Sequence, residues 1–271
     1  MRNLNRKIDI IYQGKKYEAS LELYVQNKIS DVMVSQKRPL IIVCPGGGYE
    51  HLSPREGDPT LIQFLSKGFN VALLAYSVNS PFPVALMQLA KTVLSIRKVK
   101  ETSIDTSKIF ICGFSAGGHL AACLGTLYQH PILKSFVPNK FLRPAGLILC
   151  YPVITASGTY AHHQSIQNLQ IRSEQKELIS IEKNVTSNFP PTFIWQTQAD
   201  KSVPIQNSLL LVNKLISKQV PCEFHLFPKG GHGLGIGTPE TLLESKKAQF
   251  NSNTSAWVDL CSNWIKNEIT N

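Results

Sequence analysis

Phe110-Ile111-Cys112-Gly113-Phe114-Ser115-Ala116-Gly117-Gly118-His119-Leu120 carries a G-x-S-x-G pattern where an apolar strand meets a helix. The two glycines answer a steric problem. A chain that reverses within about two residues holds the central serine in a strained conformation, with Oγ projecting above the sheet. Side chains at positions 113 and 117 would collide across that turn. Three fixed positions recur by chance in about one chain in ten of this length, so the setting decides. Lys108-Ile109-Phe110-Ile111-Cys112 enters as a buried strand and His119-Leu120-Ala121-Ala122-Cys123-Leu124 leaves as a helix, the context such a nucleophile elbow requires.

Strands and helices alternate on either side of the elbow. Upstream, Lys7 to Tyr12 and Tyr17 to Val25 flank Gln13-Gly14-Lys15-Lys16 and predict an antiparallel hairpin. Pro39 to Cys44 is a continuous apolar run ending at Pro45-Gly46-Gly47-Gly48, the pattern of a strand buried on both faces. A helix over Asp58 to Lys67, a strand over Asn70 to Tyr76 and a helix over Pro83 to Val99 follow. Downstream come the elbow helix to Gln129 and a strand over Ala145 to Tyr151. Next are a strand over Thr192 to Gln198, a helix over Ile205 to Lys218, a strand over Cys222 to Phe227 and a helix over Ser255 to Glu268. Residues 152 to 188 change character, being rich in Ser, Gln, Asn and His, and predict a lid-like insertion with one short helix near Glu177 to Val185. The fold class is therefore α/β: a mostly parallel central sheet with helices on both faces and an N-terminal antiparallel hairpin. No linker or composition shift divides the 271 residues, so a single domain over 1–271 is expected.

The composition, 43% hydrophobic and 17% charged, is that of a globular chain with a substantial core. No apolar run approaches the roughly 20 residues of a membrane span, and the basic N-terminus leads into an alternating strand rather than a signal core. A cytoplasmic protein, or one lacking its leader, is expected, with no membrane partner. The net charge of +10 is spread over singly placed lysines and arginines, without a basic run, so nucleic acid is not an expected partner. A homo-oligomer is left open. Cysteines 44, 112, 123, 150, 222 and 261 form no C-x-x-C pair and sit mostly in strand-like runs, which predicts buried free thiols and no metal ligation.

A serine hydroxyl is a weak nucleophile until a base takes its proton, and the base needs a carboxylate to fix its tautomer. In a parallel sheet these partners follow in the order Ser, acid, His, each beyond a strand end. Asp200 alone among the acids after the elbow sits at a strand's carboxyl end; Glu174, Glu177 and Glu182 fall in the insertion and Glu223 lies inside a strand. His232 lies in Phe227-Pro228-Lys229-Gly230-Gly231-His232-Gly233, directly after the last strand. His225 packs or caps instead, and His51, His130, His162 and His163 match no position of the order. The catalytic candidates are thus Ser115, Asp200 and His232. Attack on an acyl carbonyl also needs preorganised N–H donors for the oxyanion: Ala116, at the helix start, supplies one, and by position Gly47 and Gly48 supply the others. A phosphate-cradling role for that triple glycine would need a following lysine and Ser/Thr, or a helix opening there, and Tyr49-Glu50-His51-Leu52-Ser53-Pro54 offers neither. His119 is expected beneath the elbow, bonded to backbone. No metal-ligand spacing is present, and this chemistry calls for no cofactor.

Taken together, Cys44-Pro45-Gly46-Gly47-Gly48-Tyr49, Leu52-Ser53-Pro54-Arg55-Glu56-Gly57, Gly113 to Leu120, Tyr151-Pro152-Val153-Ile154-Thr155, Val203-Pro204 and Gly231-His232-Gly233-Leu234 resemble an α/β-hydrolase group. It consists of small esterases of the acetyl xylan esterase and feruloyl-esterase-like kind, related to hormone-sensitive lipase. The resemblance runs from about residue 40 to 265. It implies the α/β-hydrolase fold, a triad of Ser115, Asp200 and His232, an oxyanion hole of Gly47, Gly48 and Ala116, and removal of short acyl groups, acetyl above all, from xylan-derived or other sugars. One departure stands in the insertion: Asn168-Leu169-Gln170-Ile171-Arg172 lacks the glycine expected after Asn-Leu. Arg55-Glu56 reads as a structural or mouth-lining pair. An acyl-peptidase or an amide or formamide hydrolase would use the same triad. A non-catalytic binding protein would be expected to have lost one of these positions.

Overall fold

Alternation of side chains along the central strands decides how the sheet is covered. The computed structural model describes residues 1–27, 37–100, 103–134, 141–245 and 251–270. In β5 (Arg38–Cys44), Leu40, Ile42 and Cys44 enter one core cluster and Ile41 and Val43 another. In β7 (Ile104–Phe114), Ile109 and Ile111 join the first and Phe110, Cys112 and Phe114 the second. With a side-chain period of two, continuous apolar runs are what a strand covered on both faces requires. The first face is covered by α2 (Val84–Arg97), α3 (Ala116–Leu127) and α8 (Gln206–Ser217), the second by α1 (Asp58–Ser66) and α9 (Trp257–Thr270).

Among the described residues the sheet has eight strands in the order β1-β4-β6-β5-β7-β8-β9-β10, where β1 is Arg2–Lys7, β4 Ser20–Val25, β6 Asn70–Ala75, β8 Gly146–Cys150, β9 Thr192–Thr197 and β10 Cys222–Phe227. From β6 to β10 all pairings are parallel, and β4 and β1 add antiparallel strands at one edge. The expected N-terminal hairpin is present but divided. β1 pairs with β4 in the large sheet, while β2 (Ile10–Tyr12) and β3 (Lys15–Tyr17) form a separate two-stranded tip. The break has a polar cause: the Asp9 carboxylate accepts the N–H of Ala19 at 3.4 Å and lies 3.0 Å from Lys16 Nζ, so it occupies the place of a ladder carbonyl.

A short helix α4 (Pro131–Lys134) follows the elbow helix. The segment between β8 and β9 holds three short helices, α5 (His163–Asn168), α6 (Gln175–Ile179) and α7 (Ile181–Asn184), where the sequence predicted one. Helix α5 buries only Ser165 and Ile166, too few apolar positions to show a period, and extended Ser180 (ψ 97°) separates α6 from α7. The six cysteines are free thiols, five of them buried. Among the described residues no helix is long and apolar enough to cross a membrane.

Candidate active site

Parallel strands deliver their following loops to one edge of the sheet, and the candidate residues all sit there. Ser115 follows β7 and precedes α3 with φ 51° and ψ −114°, a region that L side chains rarely occupy. Surrounding bonds hold it: its N–H donates to Cys150 O at 2.9 Å, and its carbonyl accepts from His119 and Val153 at 3.0 and 3.1 Å. A Cβ on Gly113 would lie 2.2 Å from Gly117 O, across the turn as expected. One on Gly117 would instead meet Cys44 O at 2.1 Å, on the neighbouring strand.

The three triad candidates are brought together. His232 Nε2 lies 2.8 Å from Ser115 Oγ, and His232 Nδ1 lies 2.7 Å from Asp200 Oδ2. The side chain of Asp200 is wholly buried, and its other oxygen accepts the N–H groups of Ser202 and Val203 at 2.9 and 3.0 Å. A carboxylate so engaged remains an acceptor. Nδ1 of His232 therefore carries the proton, and Nε2 is free to accept from the serine. The edge of the Tyr151 ring rests on His232, with centroids 4.9 Å apart.

The glycine loop after β5 lies against the same pair. Gly47 and Gly48 have φ of 119° and 65°, and among the described residues their N–H groups have no acceptor. The N–H of Ala116, in the first turn of α3, is likewise free of the helix ladder. Gly46 differs, since its N–H donates to Glu56 Oε2 at 2.8 Å. These loops and the segment between β8 and β9 enclose a cleft of about 260 Å³ lined by Gly47, Gly48, Glu50, His51, Ser53, Arg55, Glu56, Ser115, His162, Gln164, Ser202, His232 and Gly233. No aliphatic side chain lies among them.

Sequence reasoning missed how the cleft is braced. Glu56, buried in a single turn of 3-10 helix (Pro54–Glu56), accepts the Tyr151 hydroxyl at 2.7 Å on Oε1, and that hydroxyl accepts the N–H of Gly235 at 3.0 Å. One carboxylate thus ties the glycine loop to the loop of His232. Arg55 completes the tie by donating to the carbonyls of Gly233 and Thr241 at 2.5 and 3.0 Å. The available signal was the Arg55-Glu56 pair, read as structural or mouth-lining; both residues do line the cleft, but the partners they tie together were not foreseen. Beneath the elbow, His119 is bonded as expected: Nε2–H donates to Ile179 O and the Tyr49 hydroxyl donates to Nδ1, both at 2.9 Å. Burial pushes the His119 pKa down to about 4. His225 stands apart, paired with Glu223 at 2.7 Å and packed on Phe193. His162, which matched no triad position, lies in the cleft wall. Among the described residues no cluster of three His, Cys, Asp or Glu side chains could hold a metal ion.

Comparison with known proteins shows what the chain is similar to. The family model described as BD-FAE matches residues 22–145, and that of the prolyl oligopeptidase family matches residues 94–255. Endo-1,4-beta-xylanase B of Butyrivibrio fibrisolvens is 37% identical over 216 residues, 75% of this chain and 34% of that protein. The acetylxylan esterase of Xylanibacter ruminicola is 26% identical over 209 residues, 73% of this chain and 41% of that protein. The chain therefore spans between a third and a half of the length of these curated relatives. Among solved structures, an acetyl ester-xyloside bifunctional hydrolase from Caldicellulosiruptor lactoaceticus superposes with a TM-score of 0.78 at 34% identity, covering 93% of this chain and 88% of that one.

Proposed function

The chain belongs to the α/β-hydrolase superfamily, among small esterases similar to acetyl xylan esterases, and from that premise we propose that it is a serine carboxylesterase that releases acetyl groups from sugars. The observation that carries the reading is the unbroken chain Asp200–His232–Ser115 at 2.7 and 2.8 Å. His232 Nε2 takes the proton of Ser115 Oγ as that oxygen bonds to the ester carbon. The carbonyl π electrons move to oxygen, which rests on the N–H groups of Gly47, Gly48 and Ala116. Collapse of the tetrahedral adduct breaks the bond to the alcohol oxygen, which leaves with the proton from His232. Water then attacks the acyl-serine with His232 again as base, releasing the acid and restoring Ser115. Asp200 holds the tautomer and stabilises the imidazolium formed in each half. Residues 1–271 act here as one catalytic domain, with residues 152–188 as its lid-like wall.

The cleft wall supports the substrate class. Each methylene buried against apolar surface is worth about 0.8 kcal/mol, and a wall without an aliphatic side chain returns little of that for a long acyl chain. It offers hydrogen-bonding groups to a polyhydroxylated alcohol instead. Acetate release from acetylated xylo-oligosaccharides, beside an acetyl-to-octanoyl p-nitrophenyl series and an aminoacyl anilide, tests the reading. Acetyl esters are expected to lead and the anilide to be inert. Ser115→Ala is expected to lower kcat at least about 10⁴-fold, and retained turnover in that variant sinks the assignment.

A further inference from the structure

The segment between β8 and β9 places on the cleft wall a histidine that the reaction above does not use. His162 shares that wall with Ser115, His232 and Ser202. Its Nδ1 is engaged, accepting the N–H of Ser165 at 3.3 Å and lying 2.8 Å from Ser165 Oγ. A neutral imidazole whose Nδ1 accepts carries its proton on Nε2. Among the described residues that Nε2 has no partner. Burial, and then repulsion from His232, hold the His162 pKa below the ordinary histidine value, with Asp200 pulling the other way. Near neutral pH the ring is thus uncharged and pinned, with one N–H donor unspent.

The chemistry of the ester says which half of a substrate it meets. Apart from the oxygen of the scissile bond, an acetyl ester has a single acyl oxygen, the carbonyl oxygen, and it rests on the N–H groups of Gly47, Gly48 and Ala116. A further oxygen facing the wall that His162 shares with His232 and Ser202 belongs to the alcohol. We infer that His162 is a specificity-determining residue that donates its Nε2–H to an oxygen of the alcohol half of the ester, a hydroxyl or ring oxygen beside the acylated position of a sugar. This rests on the esterase reading above.

The test is the ratio of kcat/KM for an acetylated xylo-oligosaccharide to that for p-nitrophenyl acetate, whose aryl leaving group carries no neighbouring hydroxyl. His162→Ala is expected to lower that ratio about tenfold, the upper range for one neutral hydrogen bond, through KM on the sugar ester. His162→Gln, which can present an amide N–H in the same direction, is expected to recover part of it. The rate of fluorophosphonate labelling of Ser115 checks that the variants keep an intact elbow. A ratio that does not move, or equal losses on both esters, overturns the assignment of His162 while leaving the esterase reading standing. A wild-type enzyme inactive on the sugar acetate overturns both, and turnover by Ser115→Ala overturns the triad itself.

Discussion

Two walls of the cleft reach the same serine by different means. The rim formed by the loops after β5, β7, β9 and β10 is fixed by backbone constraint: Ser115 at φ 51°, a glycine loop with φ of 119° and 65°, and Asp200 clamped by two N–H donors. The facing segment between β8 and β9 is three short helices held by side-chain amides, among them Asn168 donating to Gly48 O at 2.8 Å and Asn207 Oδ1 accepting the N–H groups of Ile154 and Thr155 at 2.9 and 3.2 Å. The lesson concerns tolerance. Backbone geometry at the rim admits few residue types, whereas the segment can exchange polar side chains and keep its course. On the proposed reading, chemistry belongs to the first wall and selection among alcohols to the second.

The largest expected effect breaks the rim without touching the reacting atoms. Glu56→Gln preserves size, but one end of the amide donates where the carboxylate accepted. If the carbonyl keeps the Gly46 N–H, the NH₂ faces a Tyr151 hydroxyl that already accepts from Gly235 and loses its own acceptor. Misplacing oxyanion donors costs on the order of 10²-fold in kcat, so a loss of about 10- to 100-fold with KM within about threefold is expected. Tyr151→Phe is expected to do much the same, and the double variant little more, because both remove one tie. A loss carried by KM alone, or fully additive effects, would show that Glu56 does not act through the glycine loop.

That tie also marks where sequence legibility ended. The elbow, the succession of strands and helices and the positions of Asp200 and His232 could be read because each answers a local rule: two glycines at a reversal, a run of apolar residues, an acid and a histidine past strand ends. Glu56 meets Tyr151 across 95 residues, and no periodicity encodes such a pairing. Helix α5 was unreadable for another reason, since its course is set by the His162 cap and the Asn168 anchor rather than by an apolar stripe. The divided N-terminal hairpin turned on the Asp9 carboxylate, a polar contact invisible to a strand pattern.

The next effect is read at the joint between the walls. His119 receives the hydroxyl of Tyr49, from the glycine loop, and donates to Ile179 O, in the segment. Its pKa of about 4 in the fold lies below the ordinary value of about 6.5, so between those values the unfolded chain binds the extra proton. Stability therefore rises with pH across that window, is fully present above about pH 6.5, and is lost as pH falls toward 4. From pH 6.5 to 5 the loss is about 2 kcal/mol. His119→Gln, which cannot titrate, is expected to be less stable than wild type at pH 7.5 and to close that gap as pH falls. Urea unfolding at several pH values measures it, and a gap constant from pH 7.5 to 5 would show that His119 titrates alike in both states.

The smallest effect sharpens the claim that the segment tolerates exchange. The sequence lacks a glycine after Asn168-Leu169, yet the backbone keeps the conformation glycine favours: Gln170 sits at φ 47°. An L residue there costs about 1–2 kcal/mol, and Gln170 offsets part of it by donating from Nε2 to Asn79 O at 2.9 Å. Gln170→Gly removes the strain and the bond together, so stability is expected to change by less than about 1 kcal/mol. Gln170→Val loses the bond and adds a β-branched side chain at positive φ, so it is expected to lose more than about 1 kcal/mol. Chemical denaturation of the pair decides the matter. If glycine proves as damaging as valine, the Asn79 bond and not the backbone sets the course of the segment at this point, and the wall opposite Ser115 is held as strictly as the rim.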